Sequence, residues 1–259
     1  MDYGKVIVNA ITMLPENQLK ISNKVLLAPL FAVLSIWIVF WVEVKFGFNF
    51  NEYGIYPKKL FGLRGVVLSP FIHGSVEHLY NNTIPLAVLT AFLFHFYQKV
   101  AFKALFWGIL LSGLLTWLIG RSSYHIGASG LIYVLASFIF FKGIITKHYR
   151  WVALSLIVVF IYGSLIWYIF PIKDGISWEG HLSGFLTGLF LAFLLKVETP
   201  EEKRYDWEKE DFNEEEDPFL RQFDKDGNFI EIEEEKEETP KKIRIRYHYK
   251  SKEEGDTSS

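Results

Sequence analysis

From Asn82 through Lys173 the chain contains no aspartate or glutamate. A stretch that long without a carboxylate does not make the surface of an ordinary soluble domain, in which roughly a quarter of residues are charged. The imbalance extends further. Residues 1–195 hold 14 basic and seven acidic side chains, a net of +7, whereas the 13 basic and 22 acidic side chains that follow give −9. The overall −2 therefore averages two opposite segments. The first, enriched by much of the chain's 24 Phe, 13 Tyr and 8 Trp, has the composition of a membrane protein, and the second that of a solvated tail. The chain has no cysteine, which excludes disulfides, thiolate metal sites and a cysteine nucleophile.

A helix needs about 20 apolar residues to cross roughly 30 Å of hydrocarbon. Six runs near that length fall at 25–42, 79–97, 101–120, 128–146, 151–170 and 179–196. The first run has no small-residue cleavage site behind it and reads as a retained span, not a signal peptide. Lysine and arginine near helix ends set orientation. With residues 1–24 as a cytoplasmic N-terminal segment, the inner side holds Lys5, Lys20, Lys24, Lys99, Lys103, Lys142, Lys147, Arg150 and Lys196, and the second and third outer loops only Arg121 and Lys173. The first outer loop, residues 43–70, is the exception, with Lys45, Lys58, Lys59 and Arg64. Its Phe46, Phe48, Phe50, Tyr53, Tyr56 and Phe61 read as a segment lying in the outer interface.

The expected fold class is all-α: a polytopic membrane protein with a six-transmembrane-helix domain over 25–197, followed by a charged, acidic cytoplasmic tail over 198–259. The tail composition predicts a largely disordered, solubilising segment with at most a marginal hairpin around Asp226-Gly227. Asp224 to Asn228 lacks the ligand spacing of a calcium loop.

Polar residues inside apolar runs are costly and mark function. The second run opens with His73, His78 and Asn82, the fourth with Gly127-Ala128-Ser129-Gly130 and then Tyr133, and the sixth with Gly180 and His181 followed by Gly184 and Gly188. In an N-in chain of six spans the even helices all run from outside to inside, so their starts share one depth. His78 and Asn82 are four apart and face one side of their helix, as do Ser129 and Tyr133. Gly180, Gly184 and Gly188 form small-xxx-small repeats that let helices approach closely. A serine becomes nucleophilic when an imidazole takes its proton, so Ser129 and His181 form a candidate dyad. The unsatisfied N–H of Ser129 at a helix start, with His78 and Asn82 as side-chain donors, would serve a developing oxyanion.

Other polar residues read as structural. Asp174 and Glu179 fall in the last outer loop and complete no triad; His125, in a loop, reads as solvent-facing; Glu77 reads as a loop or capping group. Asn81 points roughly 100° away from Asn82. His95, His148 and His248 read as interfacial or satisfied histidines. Gly-x-Ser-Gly alone is a weak signal, since small residues in membrane helices are usually packing devices. The combination carries the weight.

Together these residues resemble the rhomboid family of intramembrane serine proteases, over about three-quarters of the chain. The family pattern of a histidine, four residues, a second histidine, three residues and an asparagine is matched by His73, His78 and Asn82. The nucleophile motif is matched by Gly127 to Gly130, and the histidine-glycine pattern of the last helix by His181, Gly184 and Gly188. The first outer loop lacks the Trp-Arg pair found in many members.

The resemblance implies that Ser129 attacks a peptide carbonyl, that His181 is base and then acid, and that His78 and Asn82 line the oxyanion hole. It further implies that Tyr133 packs on His181 and that His73 is a structural or auxiliary member of the cluster. It implies single-span membrane proteins as substrates, cut near the outer face of a bacterial plasma (inner) membrane. Water must reach such a site, so a polar cavity is expected to open outward between the second, fourth, fifth and sixth helices, closed by a mobile fifth helix or last loop. The chemistry requires neither metal nor cofactor, and the partners are transmembrane substrates and the lipid bilayer, not nucleic acid. The alternative is a non-catalytic rhomboid-like protein that binds membrane clients. A proton-relay transporter is disfavoured by the acid-free stretch.

Overall fold

The computed structural model describes residues 22–172, 175–199, 205–208, 210–217 and 219–230. The chain divides into two compact units, Met1–Thr199 and Pro200–Ser259. In the first, helices occupy all six apolar runs: α1 (Asn23–Phe46), α2 (Val76–Phe96), α3 (Ala101–Ile119), α4 (Ser129–Thr146), α5 (Tyr149–Tyr162) and α6 (Trp178–Leu194). A 3₁₀ segment, Gly163–Ile169, continues α5. By length and composition α1, α3, α4 and Tyr149–Ile169 are each able to cross a membrane. The other two, α2 and α6, carry His78, Asn82 and His181, and α6, with 17 residues, is only about 25 Å long.

Local chemistry sets the helix ends. Ser22 caps α1, accepting from Lys24 N, and Gly47 ends it in the left-handed region at φ 67°. Ser75 caps α2 by accepting from His78 N, and Ser177 caps α6 by accepting from Gly180 N.

Helix α4 is the centre of the bundle. Leu131 to Leu135 and Ser137 to Ile139 are all buried, so apolar side chains face protein all round the helix. Its most extensive partner is α6. A Cβ added at Gly184 would overlap the carbonyl oxygen of Gly130, and one added at Gly188 would overlap that of Val134. Along the same seam, Ser137 Oγ donates to the Phe185 carbonyl at 2.7 Å and Lys142 Nζ to the Ala192 carbonyl at 2.9 Å. Lys142 is thus a buried side chain of the α4–α6 seam and not an inner-loop charge: its flexible stem reaches the carbonyl-rich end of α6, where a cation is favoured.

The α1–α2 connection, read above as the first outer loop, is folded into short turns, Asn51–Tyr53, Leu60–Arg64, Gly65–Leu68 and Ser69–Phe71. In place of a Trp-Arg pair it uses Trp117 of α3, whose Nε1 donates to the Lys59 carbonyl at 2.9 Å and whose carbonyl accepts from Lys58 N at 3.1 Å. Arg64 lies over the Tyr53 ring, 4.4 Å from its centre, and donates to the Glu52 carbonyl at 2.8 Å. Ile55 and His125 pair through their backbones, at 3.0 and 2.8 Å. The aromatic segment read as interfacial is therefore tied to the bundle by α3 and by the loop that precedes α4.

In the second unit a tight turn forms around Asp226-Gly227, where the sequence allows at most a marginal hairpin. Phe223 and Phe229 bridge, Asp224 Oδ1 accepts from Asp226 N and Asn228 N at 2.9 and 2.8 Å, and Gly227 takes φ 81°. Lys173, Asp174, Glu233 to Glu235 and the basic segment Lys241 to Tyr247 with His248 lie outside the described residues.

Alanine normally improves on glycine inside a helix, but at Gly184 the added methyl meets backbone. Gly184→Ala is expected to destabilise the bundle by about 1–3 kcal/mol. At Gly74, where a Cβ would sit 3.5 Å from Ile126 Cδ1, alanine is expected to be neutral. Thermal unfolding of the two variants in detergent measures the difference.

Candidate active site

Ser129 is the first residue of α4, so its N–H lies at the positive end of the helix. The chain enters that position through Gly127 at φ 106°, a conformation that favours glycine. Space imposes the same choice: a Cβ there would fall 2.6 Å from His78 Nε2 and 3.5 Å from Asn82 Nδ2. The tips of His78 and Asn82, one turn apart on α2, therefore rest against the residue two before Ser129.

His73 holds this turn from behind. It is buried, its Nε2 accepts from Ala128 N at 3.4 Å, and its Nδ1 faces the Phe71 carbonyl at 3.4 Å. A carbonyl only accepts, so Nδ1 carries the proton and the ring is neutral. Burial, and then the His78 ring 5.0 Å away, lower its pKa to about 4. Gly127 N donates to the Ser69 carbonyl at 2.8 Å, adding a second tie to the first outer loop.

His181 lies in the first turn of α6, buried to 8% exposure. Tyr133, one turn below Ser129 on α4, stacks on it with ring centres 4.4 Å apart and planes 13° from parallel. His181 Nδ1 is 3.0 Å from the Tyr168 carbonyl, and Tyr133 donates its hydroxyl to the Leu165 carbonyl at 2.7 Å. Both acceptors belong to the 3₁₀ segment. Facing a carbonyl, Nδ1 holds the proton of a neutral ring, which leaves Nε2 as the basic nitrogen.

Ser129, His181, His78, Asn82 and Tyr133 line one cavity of about 670 Å³. Its remaining wall comes from α2, the α3–α4 connection, the 3₁₀ segment and Gly175 to Ser177. Asn82 is 5% exposed, and its Nδ2 is buried without a hydrogen-bond partner. Gly130 and Gly184 meet at the α4–α6 contact below, with Gly188 one turn further down.

The sequence-derived candidates thus converge on one cavity or its immediate support. Glu77 and Asn81 also line the cavity and are exposed. Three other residues differ from expectation. His125 is buried and bonded to Ser177 Oγ through Nδ1, because the loop that carries it is folded between the first outer loop and α6. Glu179 is in the first turn of α6, 2% exposed, with Oε2 3.6 Å from Arg121 Nη1. His148, at the start of α5, is buried with Nδ1 unpartnered, whereas His95 is exposed. Among the described residues no three His, Asp or Glu side chains are grouped to hold a metal ion.

Comparison with known proteins places the arrangement in a family. The family described as Rhomboid domain matches residues 61–198. Two relatives from Mycobacterium bovis and Mycobacterium tuberculosis, both named as uncharacterized proteins, are each 36% identical over 183 residues, covering 66% of this chain and 74% of the relative. An uncharacterized protein of Mycobacterium leprae is 35% identical over 167 residues, covering 60% of this chain and 64% of its own length. The chain is an integral membrane protein that belongs to the rhomboid family.

Proposed function

We propose that this protein is an intramembrane serine endopeptidase in which Ser129 and His181 form the catalytic dyad. The observation that carries the reading is the shared cavity: a serine at a helix N-terminus faces it together with a histidine whose Nδ1 is already committed to the Tyr168 carbonyl. His181 Nε2 takes the hydroxyl proton as Ser129 Oγ bonds to the peptide carbonyl carbon, and the carbonyl π electrons move to oxygen. The Ser129 N–H, His78 and the unpartnered Nδ2 of Asn82 are the donors for that oxyanion. Collapse breaks the C–N bond as His181 returns the proton to the leaving amine. A water molecule then repeats the sequence on the acyl-enzyme and frees Ser129.

The family resemblance supports the substrate class: the substrates are single-span membrane proteins, whose peptide bonds already lie in the bilayer. All six helices of residues 25–197 act as spans, with the N-terminus and the 198–259 tail cytoplasmic and the cavity open to the outer face of a bacterial plasma membrane. Tyr133 keeps the His181 ring oriented, Gly127 and Gly130 leave room around Ser129, and Gly184 and Gly188 hold α6 against α4. The 3₁₀ segment, with its weaker i→i+3 bonds, is the wall that moves to admit substrate. A non-catalytic client-binding protein needs no reactive serine, and the same probe tests both readings.

Detergent-solubilised wild-type protein is expected to bind a fluorophosphonate covalently at Ser129, with Ser129→Ala and His181→Ala inert; equal labelling of all three, or none of wild type, defeats the protease reading. Asn82→Ala is expected to lower turnover by about 10²- to 10³-fold without lowering the thermal midpoint. Protonation of His73 opposes folding: with a folded pKa of about 4 against an ordinary 6.5, its contribution is complete above pH 6.5 and is lost as the pH falls toward 4. Unfolding measured across that window in wild type and His73→Gln is expected to show a shallower slope in the variant.

A further inference from the structure

The proposed nucleophile and base sit on different helices, so their mutual position depends on what ties the outer ends of α4 and α6 together. The connection from α3 to α4 supplies two ties. Arg121 donates its backbone N–H to Glu179 Oε1 at 3.3 Å, places Nη1 3.6 Å from Glu179 Oε2, and donates from Nη2 to the Ile176 carbonyl at 2.7 Å. His125, four residues before Ser129, reaches Ser177 Oγ through Nδ1 and faces the Arg121 carbonyl through Nε2 at 3.2 Å. Its backbone also pairs with Ile55 of the first outer loop. Three loops meet at this one buried residue.

The hydrogen-bond roles are determined. The Arg121 carbonyl only accepts, so Nε2 carries the proton, and Nδ1 of the neutral ring must accept from the Ser177 hydroxyl. The same Ser177 oxygen accepts from Gly180 N at 3.3 Å as the cap of α6. The result is a one-directional chain from Gly180 N–H through Ser177 to His125 and on to Arg121, in which each bond polarises the next. Burial keeps His125 below the ordinary histidine pKa, and so neutral, even with Glu179 nearby. The Ser177 carbonyl, in turn, accepts from His181 N at 3.1 Å.

We propose that His125 is a positioning residue for the Ser129–His181 pair. As its neutral Nε2–H form it orients Ser177, and Ser177 fixes the first turn of α6, with His181 in it, against the loop that delivers Ser129. The inference rests on the protease reading above. His125 touches no substrate and transfers no proton in the reaction.

The test uses the full chain in detergent, with the fluorophosphonate reaction rate at Ser129 and kcat and KM on a single-span substrate as readouts. An asparagine amide places its oxygen near the position of Nδ1, and a glutamine amide near Nε2. His125→Ala is expected to slow labelling and kcat by on the order of 10- to 100-fold with KM within about twofold. His125→Asn is expected to restore most of that rate and His125→Gln little of it, and Ser177→Ala is expected to cost less in the His125→Ala background than in wild type. Labelling of His125→Ala at the wild-type rate overturns the inference, as does an effect confined to KM. Equal rates for the Asn and Gln variants also overturn it, by showing that the ring only fills space, and that contrast decides if the Ala variant fails to fold. A wild-type protein that takes up no probe overturns the protease reading and this inference with it.

Discussion

The site exists because α4 and α6 pack backbone against backbone. In hydrocarbon, apolar side chains gain little by facing each other and not lipid, so helices associate through close van der Waals fit and interhelical hydrogen bonds. Gly184 and Gly188 remove the side chains that would hold α6 away from the carbonyls of Gly130 and Val134. Contact at that distance brings the His181 ring onto the face of Tyr133 and puts Ser137 and Lys142 within reach of carbonyls on α6.

A bundle with so few carboxylates has to find its acceptors elsewhere, and it uses the backbone. His181 faces the Tyr168 carbonyl, Tyr133 that of Leu165, Ser155 that of Phe140, and Thr116 that of Ser112. A regular α-helix has few carbonyls to spare, because each accepts from four residues on. The 3₁₀ stretch Gly163–Ile169, with poorer i→i+3 bonds, leaves carbonyls able to accept from outside the segment. A carbonyl acceptor fixes the imidazole tautomer as a carboxylate would, and it places no charge inside the bundle. The acid-free run from Asn82 through Lys173 and the Ser-His pair without a third acid then have the same physical origin.

The helices and the site candidates were legible because membrane composition exaggerates their signals. A hydrophobic run is long, and a histidine or asparagine inside one stands out. The four-residue spacing of His78 and Asn82, and the shared depth of the even helix starts, were enough to bring Ser129, His181, His78 and Asn82 to one cavity. What the sequence hid was loop structure. His125 read as solvent-facing and Glu179 as a loop residue because residues between apolar runs carry no periodicity, and their partners, Ser177 and Arg121, lie 52 and 58 positions away. Lys142 read as an inner-loop charge because its place near a helix end does not reveal that its stem folds back against α6. The anchoring of the first outer loop by Trp117 was likewise invisible, since one end of that contact is a backbone carbonyl, which any residue could supply.

The described residues include a few buried polar atoms without a hydrogen-bond partner, on Glu43, Asn51, Asn82, Thr90, His148 and Glu179, the last of which faces Arg121 as an ion pair. Of these, only that of Asn82 belongs to a residue lining the cavity that holds Ser129 and His181. An unpaired buried donor costs about 1–3 kcal/mol, and nothing in the packing of α2 requires an asparagine there, since leucine fills the buried positions at Leu79, Leu86 and Leu89. Gly127 is bare and in the left-handed region at the same place, so that the tips of His78 and Asn82 can lie next to the Ser129 turn. Two local costs at adjacent residues, with no structural return, are what a preorganised oxyanion site looks like before the charge arrives: in the proposed reaction, the tetrahedral intermediate is the partner that the resting protein withholds from Asn82.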